Sequence, residues 1–376
     1  MSIAAARDGR FRRRLHWTAV LIASCAALGG RTVDAAEAPE EEVFIISSNK
    51  GQPYTQVVEA FQATLRANEG KLHRKFTFSV KSLDNHPGRL DNQAFAPEWK
   101  EARYILVNGT IASTKVVELV KPQDARKFVY CSVTDPVTVG LIGPRAAERG
   151  VEFTGVSFYL APAERLGFVE RLFPHVRSIG LIYADMPQSH SYNVWLKQSV
   201  AAIPEPHRPE LHMEEVPFVH GAGGIVRMGI LAGEAARRLD PQVDIFLSPN
   251  DQLGLNEAYY QTLGKVTRKP LIGIGVTDAQ GEVGATASIA PSFSVMGRQC
   301  GNIMLQLMKG TPTADVPPQM PAEYEIFIHQ PRAREAGANI NSFVARCPHS
   351  GPVLHLSVHR GKNEKLDWST LRCQSN

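Results

Sequence analysis

The sequence lacks the common signatures of catalysis and of metal binding. It contains no Gly-x-Ser-x-Gly nucleophile elbow, no His-Glu-x-x-His zinc motif and no phosphate-binding P-loop. Its five cysteines include no Cys-x-x-Cys pair, which argues against a zinc site or a dithiol redox site. We therefore predict that the chain is not an enzyme and has no catalytic residue, bound metal or cofactor.

The chain has almost no net positive charge once the first residues are set aside. The formal net charge is +4, and several of the arginines that produce it lie near the N-terminus. The remainder has no basic stripe interleaved with aromatic residues, the pattern that phosphate backbones and bases require. The composition therefore argues against nucleic-acid binding.

The N-terminus has the features of an export signal. Arg12, Arg13 and Arg14 precede the apolar run of residues 15–28, and small residues follow around Ala35. The run is short for a transmembrane helix, so we predict a signal peptide over residues 1–36. Two alternatives stay open: an uncleaved signal anchor, and a lipoprotein in which Cys25 becomes the lipidated first residue.

Four cysteines remain after removal of the signal. In an exported protein, Cys347 and Cys373 can form a disulfide in the C-terminal segment. Cys131 falls in an apolar strand and Cys300 in a helical segment, and we expect both to be buried free thiols.

Short apolar runs alternate with helical segments along the rest of the chain. Runs that are almost wholly apolar are typical of strands covered on both faces, and several such runs in series with helices predict parallel sheets. The predicted strands are 43–47, 76–80, 104–107 and 128–131 in a first series, then 178–183, 216–219, 244–248 and 271–274 in a second. Helices are predicted between them, for example over residues 54–67, where apolar residues recur at a spacing of three and four.

Two such series predict two Rossmann-like lobes. A further strand at 285–289, a helix at 293–308 and a strand at 324–328 indicate that the chain crosses between the lobes more than once. The predicted organisation is lobe one at 43–156 and 285–312, lobe two at 157–284 and 313–345, and a C-terminal tail at 346–376.

The order of several short motifs resembles a known family. These motifs include Asn108-Gly109-Thr110, Thr134-Asp135-Pro136, the run of residues 153–157, Asn250-Asp251 and Gly297-Arg298-Gln299. Over residues 43–340 the chain resembles the bacterial ABC-transporter substrate-binding proteins of the tryptophan/tyrosine-binding type, which have the type I periplasmic binding protein fold. The resemblance implies two parallel-sheet lobes joined by a multi-strand hinge.

The resemblance also implies a function and partners. It predicts an exported, periplasmic, monomeric protein that captures an amino-acid-like or carboxylate ligand between its lobes and delivers it to an ABC permease. A ligand-sensing module for a membrane sensor such as a histidine kinase is the alternative. A hydrolase or transferase on the same scaffold is a weaker one.

In this fold the ligand lies at the carboxyl ends of the strands. Hydroxyl and backbone N–H groups there suit a carboxylate, and an aspartate on the facing lobe suits an ammonium group. Helix capping is the competing role for the hydroxyl and Asn/Asp side chains, and Asp135 is as well suited to closing a turn as to contacting a ligand. The predicted ligand-binding residues are Ser47, Ser48, Asn108, Thr110, Thr134, Asp135, Tyr183, Asn250 and Asp251.

Overall fold

A computed structural model describes residues 38–91, 96–221, 223–275, 278–281 and 283–374. The predicted signal peptide and the alternative lipidation site Cys25 lie outside these residues. Within the described part of the chain, no helix is both long enough and apolar enough to cross a membrane.

The first lobe is built on a five-stranded, wholly parallel sheet with the order β2-β1-β3-β4-β5. Except for the edge strand β2, which has one buried residue, its strands are largely buried, as the apolar runs predict. Val43, Ile45 and Leu106 have no exposed surface. Burying such a side chain contributes about 2–3 kcal/mol. The elements of this part of the chain are β1 (Glu40–Ser47), α1 (Tyr54–Arg66), α2 (Glu69–Leu72), β2 (Lys75–Ser82), α3 (Ala96–Glu101), β3 (Tyr104–Asn108), α4 (Thr110–Leu119), β4 (Lys127–Val133), α5 (Pro136–Val139), α6 (Pro144–Arg149) and β5 (Phe153–Ser157).

The second lobe is built on an eight-stranded mixed sheet with the order β13-β12-β11-β10-β9-β8-β6-β7. The five neighbouring strands β7, β6, β8, β9 and β10 are parallel to one another. The pairs β10–β11, β11–β12 and β12–β13 are antiparallel. The remaining elements are α7 (Pro162–Leu172), β6 (Ser178–Ala184), α8 (Pro187–Ala201), β7 (Glu210–Val216), α9 (Gly224–Leu239), β8 (Ile245–Leu247), α10 (Glu257–Val266), β9 (Leu271–Gly273), β10 (Ala287–Pro291), α11 (Phe293–Met308), β11 (Glu323–His329), α12 (Gln330–Glu335), α13 (Asn341–Val344), β12 (Val353–Arg360) and β13 (Leu366–Cys373). Short 3-10 helices occupy Pro87–Asp91, Asp240–Gln242, Thr313–Asp315 and Lys362–Glu364.

The predicted fold class is confirmed: two α/β lobes with parallel strands, each sheet covered on both faces. The chain passes between the lobes three times. It leaves the first sheet after β5, returns between β10 and α11, and crosses again between Thr313–Asp315 and β11. At the third crossing the backbone of Gln319 exchanges hydrogen bonds with that of Gly155 and Ser157, which ties two of the crossing segments together.

The structure corrects the assignment of one segment to a lobe. The sequence-based division places residues 285–312 in lobe one, yet β10 pairs with β9 and β11 in the second sheet. Only α11 belongs to the first lobe, where it packs on α1 and β4. The two helices come close because Gly297 and Gly301 of α11 face α1, and a Cβ at either position would collide with it. Sheet membership depends on distant partners, so the local pattern cannot reveal it.

Two further expectations about secondary structure are wrong. The strand predicted at 216–219 lies at Glu210–Val216 instead, where an edge strand has only one buried residue and therefore no apolar run. The segment 346–376 is not an irregular tail: β12 and β13 extend the second sheet, and Leu354, Leu356 and Val358 are buried in its core.

Both cysteine pairs are disulfides. Cys347 and Cys373 are bonded, with their Cα atoms 5.3 Å apart, and they staple the C-terminal hairpin to the segment that precedes it. Cys131 of β4 and Cys300 of α11 are also bonded, with a Cα–Cα distance of 6.4 Å. This corrects the expectation of two buried free thiols: both cysteines are buried as predicted, but α11 packs directly on β4 and brings their sulfurs together.

The two disulfides are expected to contribute unequally to stability. They close loops that differ in sequence separation, 169 residues for Cys131–Cys300 and 26 for Cys347–Cys373. The chain-entropy model assigns roughly 5 kcal/mol to the longer loop and roughly 3.5 kcal/mol to the shorter. We expect Cys131→Ala/Cys300→Ala to lower the free energy of unfolding, measured by denaturant titration, more than Cys347→Ala/Cys373→Ala. An equal or smaller loss in the first double variant would contradict this prediction.

Candidate functional site

The carboxyl ends of the parallel strands in the two sheets face each other across a cleft. Two hydrogen bonds join the lobes there. The Asn250 side-chain amide donates to the Thr134 hydroxyl over 3.2 Å, and the Gln252 amide donates to the Tyr54 hydroxyl. Burial raises the pKa of Tyr54 to about 12, so its hydroxyl stays protonated at neutral pH. The lobes therefore meet through uncharged polar groups.

The space enclosed at this junction, called the cleft cavity below, is small. Its volume is about 20 Å³, enough for about one water molecule. A ligand of amino-acid size requires the lobes to separate further. The cleft cavity is lined by Pro53, Tyr54, Thr110, Ser132, Thr134, Phe158, Gln188, Asn250, Asp251, Gln252, Leu255 and Phe293.

Two polar atoms at the cleft cavity have no hydrogen-bond partner among the described residues: Ser132 Oγ and Gln188 Oε1. Ser132 occupies the left-handed region at φ 60°, at the point where the pairing of β4 with β5 shifts register. Such bulges re-aim a side chain, and strained backbone tends to cluster at functional sites. Since buried polar groups are normally satisfied, both atoms are suited to hydrogen-bond a bound molecule.

The structure brings four of the nine predicted residues to the cleft cavity: Thr110, Thr134, Asn250 and Asp251. Thr110 is the first residue of α4 rather than its cap, because Gly109 occupies the N-cap position. The remaining five, Ser47, Ser48, Asn108, Asp135 and Tyr183, do not line this cavity.

Three of those five support the cleft from behind. Ser48 Oγ accepts from the Ala112 amide over 3.0 Å, so it caps α4 from a neighbouring strand. Asn108 donates to Ser47 Oγ over 3.3 Å and to the Tyr54 carbonyl over 3.2 Å. These contacts position Tyr54 and α4 at the cleft.

The other two lie further out. Asp135 caps α5 by accepting from the Thr138 amide over 3.0 Å, which is the turn-closing role that the sequence left open. Tyr183 lies beside His190, with ring centroids 6.2 Å apart, and burial raises the pKa of its hydroxyl. Its side chain belongs to the outer edge of lobe two rather than to the cleft cavity.

Asp251 is buried, and both its carboxylate oxygens are occupied. One accepts from the Ala184 amide over 2.9 Å and the Ser189 hydroxyl over 2.8 Å. The other accepts from the amides of Leu253 over 2.8 Å and Gly254 over 3.1 Å. Burial raises the pKa of Asp251 while these hydrogen bonds oppose that shift. A carboxylate satisfied in this way holds β6, α8 and the 250–254 loop together, and has little capacity left for a ligand ammonium group.

Asp278, at one side of the cleft, also accepts hydrogen bonds from backbone amides. Its carboxylate accepts from the amides of Ile274 over 3.0 Å and Gly275 over 2.6 Å. It lines an open cavity of about 360 Å³ at one side of the cleft, with Gln52, Gln56 and Glu59. Burial raises the pKa of Asp278 to about 6.

Sequence reasoning missed one buried cation. Arg165 of α7 has no exposed surface; its guanidinium donates to Ser248 Oγ over 2.9 Å and to the Ile272 carbonyl over 3.2 Å. It thereby braces the ends of β8 and β9. The available signal was its position, since Arg165 precedes the buried Phe168, Val169 and Leu172 at helical spacing on the apolar face of α7.

Comparison with known proteins identifies the fold. No protein-family profile matches the chain, and no curated protein matches it. Among solved structures, a Streptococcus pneumoniae ABC domain in complex with L-Trp superposes with a TM-score of 0.63 at 17% identity, covering 81% of this chain and 97% of that one. A conserved domain protein from Vibrio cholerae gives 0.66 at 19% identity, covering 81% and 98%. A substrate-binding protein with adhesive properties from Clostridium difficile gives 0.59 at 14% identity, covering 80% and 95%. The chain therefore has the type I periplasmic binding protein fold.

The geometry around Asp251 predicts a structural role. Asp251→Ala leaves three backbone amides and one hydroxyl without their acceptor, and each unsatisfied buried donor costs about 1–3 kcal/mol. We expect a loss of at least about 3 kcal/mol in the free energy of unfolding. The exposed Asp185 is the matched control, and Asp185→Ala should change stability by less than about 0.5 kcal/mol. Equal stability of the two variants in denaturant titration would refute this role.

The raised pKa of Asp278 predicts a pH dependence of stability. Because the folded-state pKa lies above the ordinary 3.8, folding favours the protonated form. Protonated Asp278 makes its full contribution to the free energy of unfolding below about pH 4. This contribution, at most about 3 kcal/mol, is lost as the pH rises through about 6.

Asp278→Asn keeps an oxygen acceptor for the two amides but removes the charge. We expect its melting temperature to fall less than that of the unmodified protein between about pH 4 and about pH 7. Asp185→Asn serves as the control. The prediction is contradicted if the melting temperatures of the unmodified protein and of Asp278→Asn change by the same amount over this pH range.

Proposed function

We propose that this chain is an exported solute-binding protein that closes its two lobes on a small ligand and presents it to an ABC permease. The observation that carries the proposal is the junction at the strand ends, where hydroxyl and amide side chains of both lobes surround one cavity and bond across it. Ligands of open α/β folds bind at this edge. Export through the signal peptide over residues 1–36 and action as a monomer are parts of the same proposal.

Closure by hinge motion follows from the connections. Three crossing segments join the lobes, and the side-chain hydrogen bonds across the cleft are few. A ligand that contacts both lobes adds to those bonds and shifts the population toward the closed state. Transport needs only this shift, with no bond made or broken.

The lining favours an amino-acid-like ligand over a simple carboxylate. Thr110 and Ser132 offer hydroxyls for a carboxylate, while Phe158 and Phe293 form a stacked pair, with centroids 5.5 Å apart, as an apolar wall. No lysine, arginine or histidine lines the cleft cavity among the described residues. The L-Trp bound to the Streptococcus pneumoniae ABC domain supports the same class of ligand for this chain.

The proposal is tested by screening the mature protein against amino acids, aromatic acids and small carboxylates by thermal shift. At least one compound is expected to raise the melting temperature. Small-angle X-ray scattering should then show a smaller radius of gyration with that compound than without it. The proposal is refuted if no compound of a broad library raises the melting temperature of the protein.

The cross-lobe contact at Thr134 gives a sharper prediction. Thr134→Val keeps the shape but removes the acceptor of the Asn250 amide, so the closed state loses about 1 kcal/mol. We expect the affinity for the screened ligand, measured by calorimetry, to fall roughly fivefold to tenfold. The exposed Thr138→Val is the control and should bind like the unmodified protein.

Transport and sensing are distinguished by measuring the uptake of labelled ligand in a strain that lacks the gene. Loss of uptake in this strain supports transport, whereas unchanged uptake supports sensing.

A further inference from the structure

A further cavity opens beside the cleft cavity, next to the crossing segments, and is called the hinge pocket below. Its volume is about 330 Å³, within the range of small-ligand sites. Both lobes contribute to it: Asp135 and Val137 come from lobe one, Trp195 from lobe two, and Tyr159 and Met320 from the crossing segments. Thr134 lines both cavities, so the two adjoin at this residue.

Two aromatic rings form a corner of the hinge pocket. The rings of Tyr159 and Trp195 stand 5.7 Å apart at an angle of 78°. Trp195 is held in turn by Tyr192, 6.3 Å away, and the Tyr159 carbonyl accepts from the Tyr324 hydroxyl over 2.9 Å. Burial raises the pKa of Tyr159, so its ring carries a neutral phenol. Aromatic rings that present their faces to one site attract a cation, and such rings recognise methylated ammonium groups.

The charged groups at this pocket are acidic. Asp135 and Glu364 line it, and no lysine, arginine or histidine does so within the described part of the chain. Lys362 and Lys365 flank Glu364 in the sequence but are absent from the lining. Among the described residues, the cavity of about 360 Å³ on the other side of the cleft also has the acidic side chains of Glu59 and Asp278 in its lining and no basic ones. The electrostatic environment on both sides therefore favours a positive charge on the ligand.

We infer that the hinge pocket binds an ammonium group with apolar substituents, so that the ligand of this cleft is an organic cation or a zwitterion with a cationic end. The inference rests on the proposed function, since it names the class of ligand that the same interlobe site takes. Because Val137 and Trp195 lie on different lobes, the cationic group contacts both and its binding stabilises closure.

The test uses choline and its uncharged tert-butyl isostere, dimethylbutanol, as probes in calorimetric titrations of the mature protein. The isostere has the same shape without the charge, so it isolates the cation–π and carboxylate contributions. We expect choline to bind at least about tenfold more tightly than the isostere. Equal affinities, or no choline binding, would overturn the inference.

Two variants locate the binding. Trp195→Leu removes one aromatic wall and should weaken choline binding roughly tenfold, and Glu364→Gln, at an exposed position, should weaken it roughly threefold. Glu335→Gln, an exposed glutamate on α12 outside the pocket, should leave choline binding unchanged. If Trp195→Leu fails to fold, Glu364→Gln decides, and unchanged choline affinity in that variant would refute the assignment.

The outcome is separable from that of the proposed function. A screened ligand that loses affinity in Thr134→Val, together with no preference for choline over its isostere, would leave the binding-protein proposal standing and defeat the inference. A preference for choline that both hinge-pocket variants reduce supports the inference.

Discussion

The backbone amides at the carboxyl ends of the strands constrain everything around the cleft. When two sheets face each other at those ends, amide groups there are withdrawn from water and need acceptors within the protein. Ser48 provides one for α4, Asp135 one for α5, Asp278 two for the loop after β9, and Asp251 satisfies three amides and a hydroxyl. With these donors satisfied internally, the buried side-chain atoms without a partner at the cleft cavity are, among the described residues, Ser132 Oγ and Gln188 Oε1, which are left to hydrogen-bond a ligand.

The same constraint explains how much of the site could be predicted. Polar residues after apolar runs predict a site at the carboxyl ends of the strands, and Thr110, Thr134, Asn250 and Asp251 meet at the cleft cavity there. Residue type alone cannot separate a cap from a ligand contact, because both use the same hydroxyl or carboxylate oxygen. Gln188 and Gln252 lie on a helix and in a loop, where no local pattern distinguishes them from surface glutamines.

The fold was predictable wherever burial produces a recognisable pattern of apolar residues in the local sequence. Buried parallel strands such as β1 and β3 are apolar runs, and the helical spacing in α1 matches its buried face. Edge strand β7 is half exposed and gave no such run, and β12 alternates buried with partly exposed residues. Pairings between distant segments leave no local trace at all, which is why the lobe of β10 and the Cys131–Cys300 bond emerge only from the structure.

The Cys131–Cys300 disulfide also limits where the molecule can bend. Helix α11 follows directly from β10 of lobe two, yet it packs on α1 and is covalently bonded to β4. It therefore moves with lobe one, and the bend between the lobes must occur close to Ser292, the one residue between Pro291 and Phe293. The two other crossings are tied to each other through Gln319. Bending is thus confined to short connections, two of which line the hinge pocket through Tyr159 and Met320. The walls of that pocket at Val137 and Trp195 lie on opposite lobes. A group bound in that pocket acts on the equilibrium between open and closed lobes because it contacts both sides of the bend.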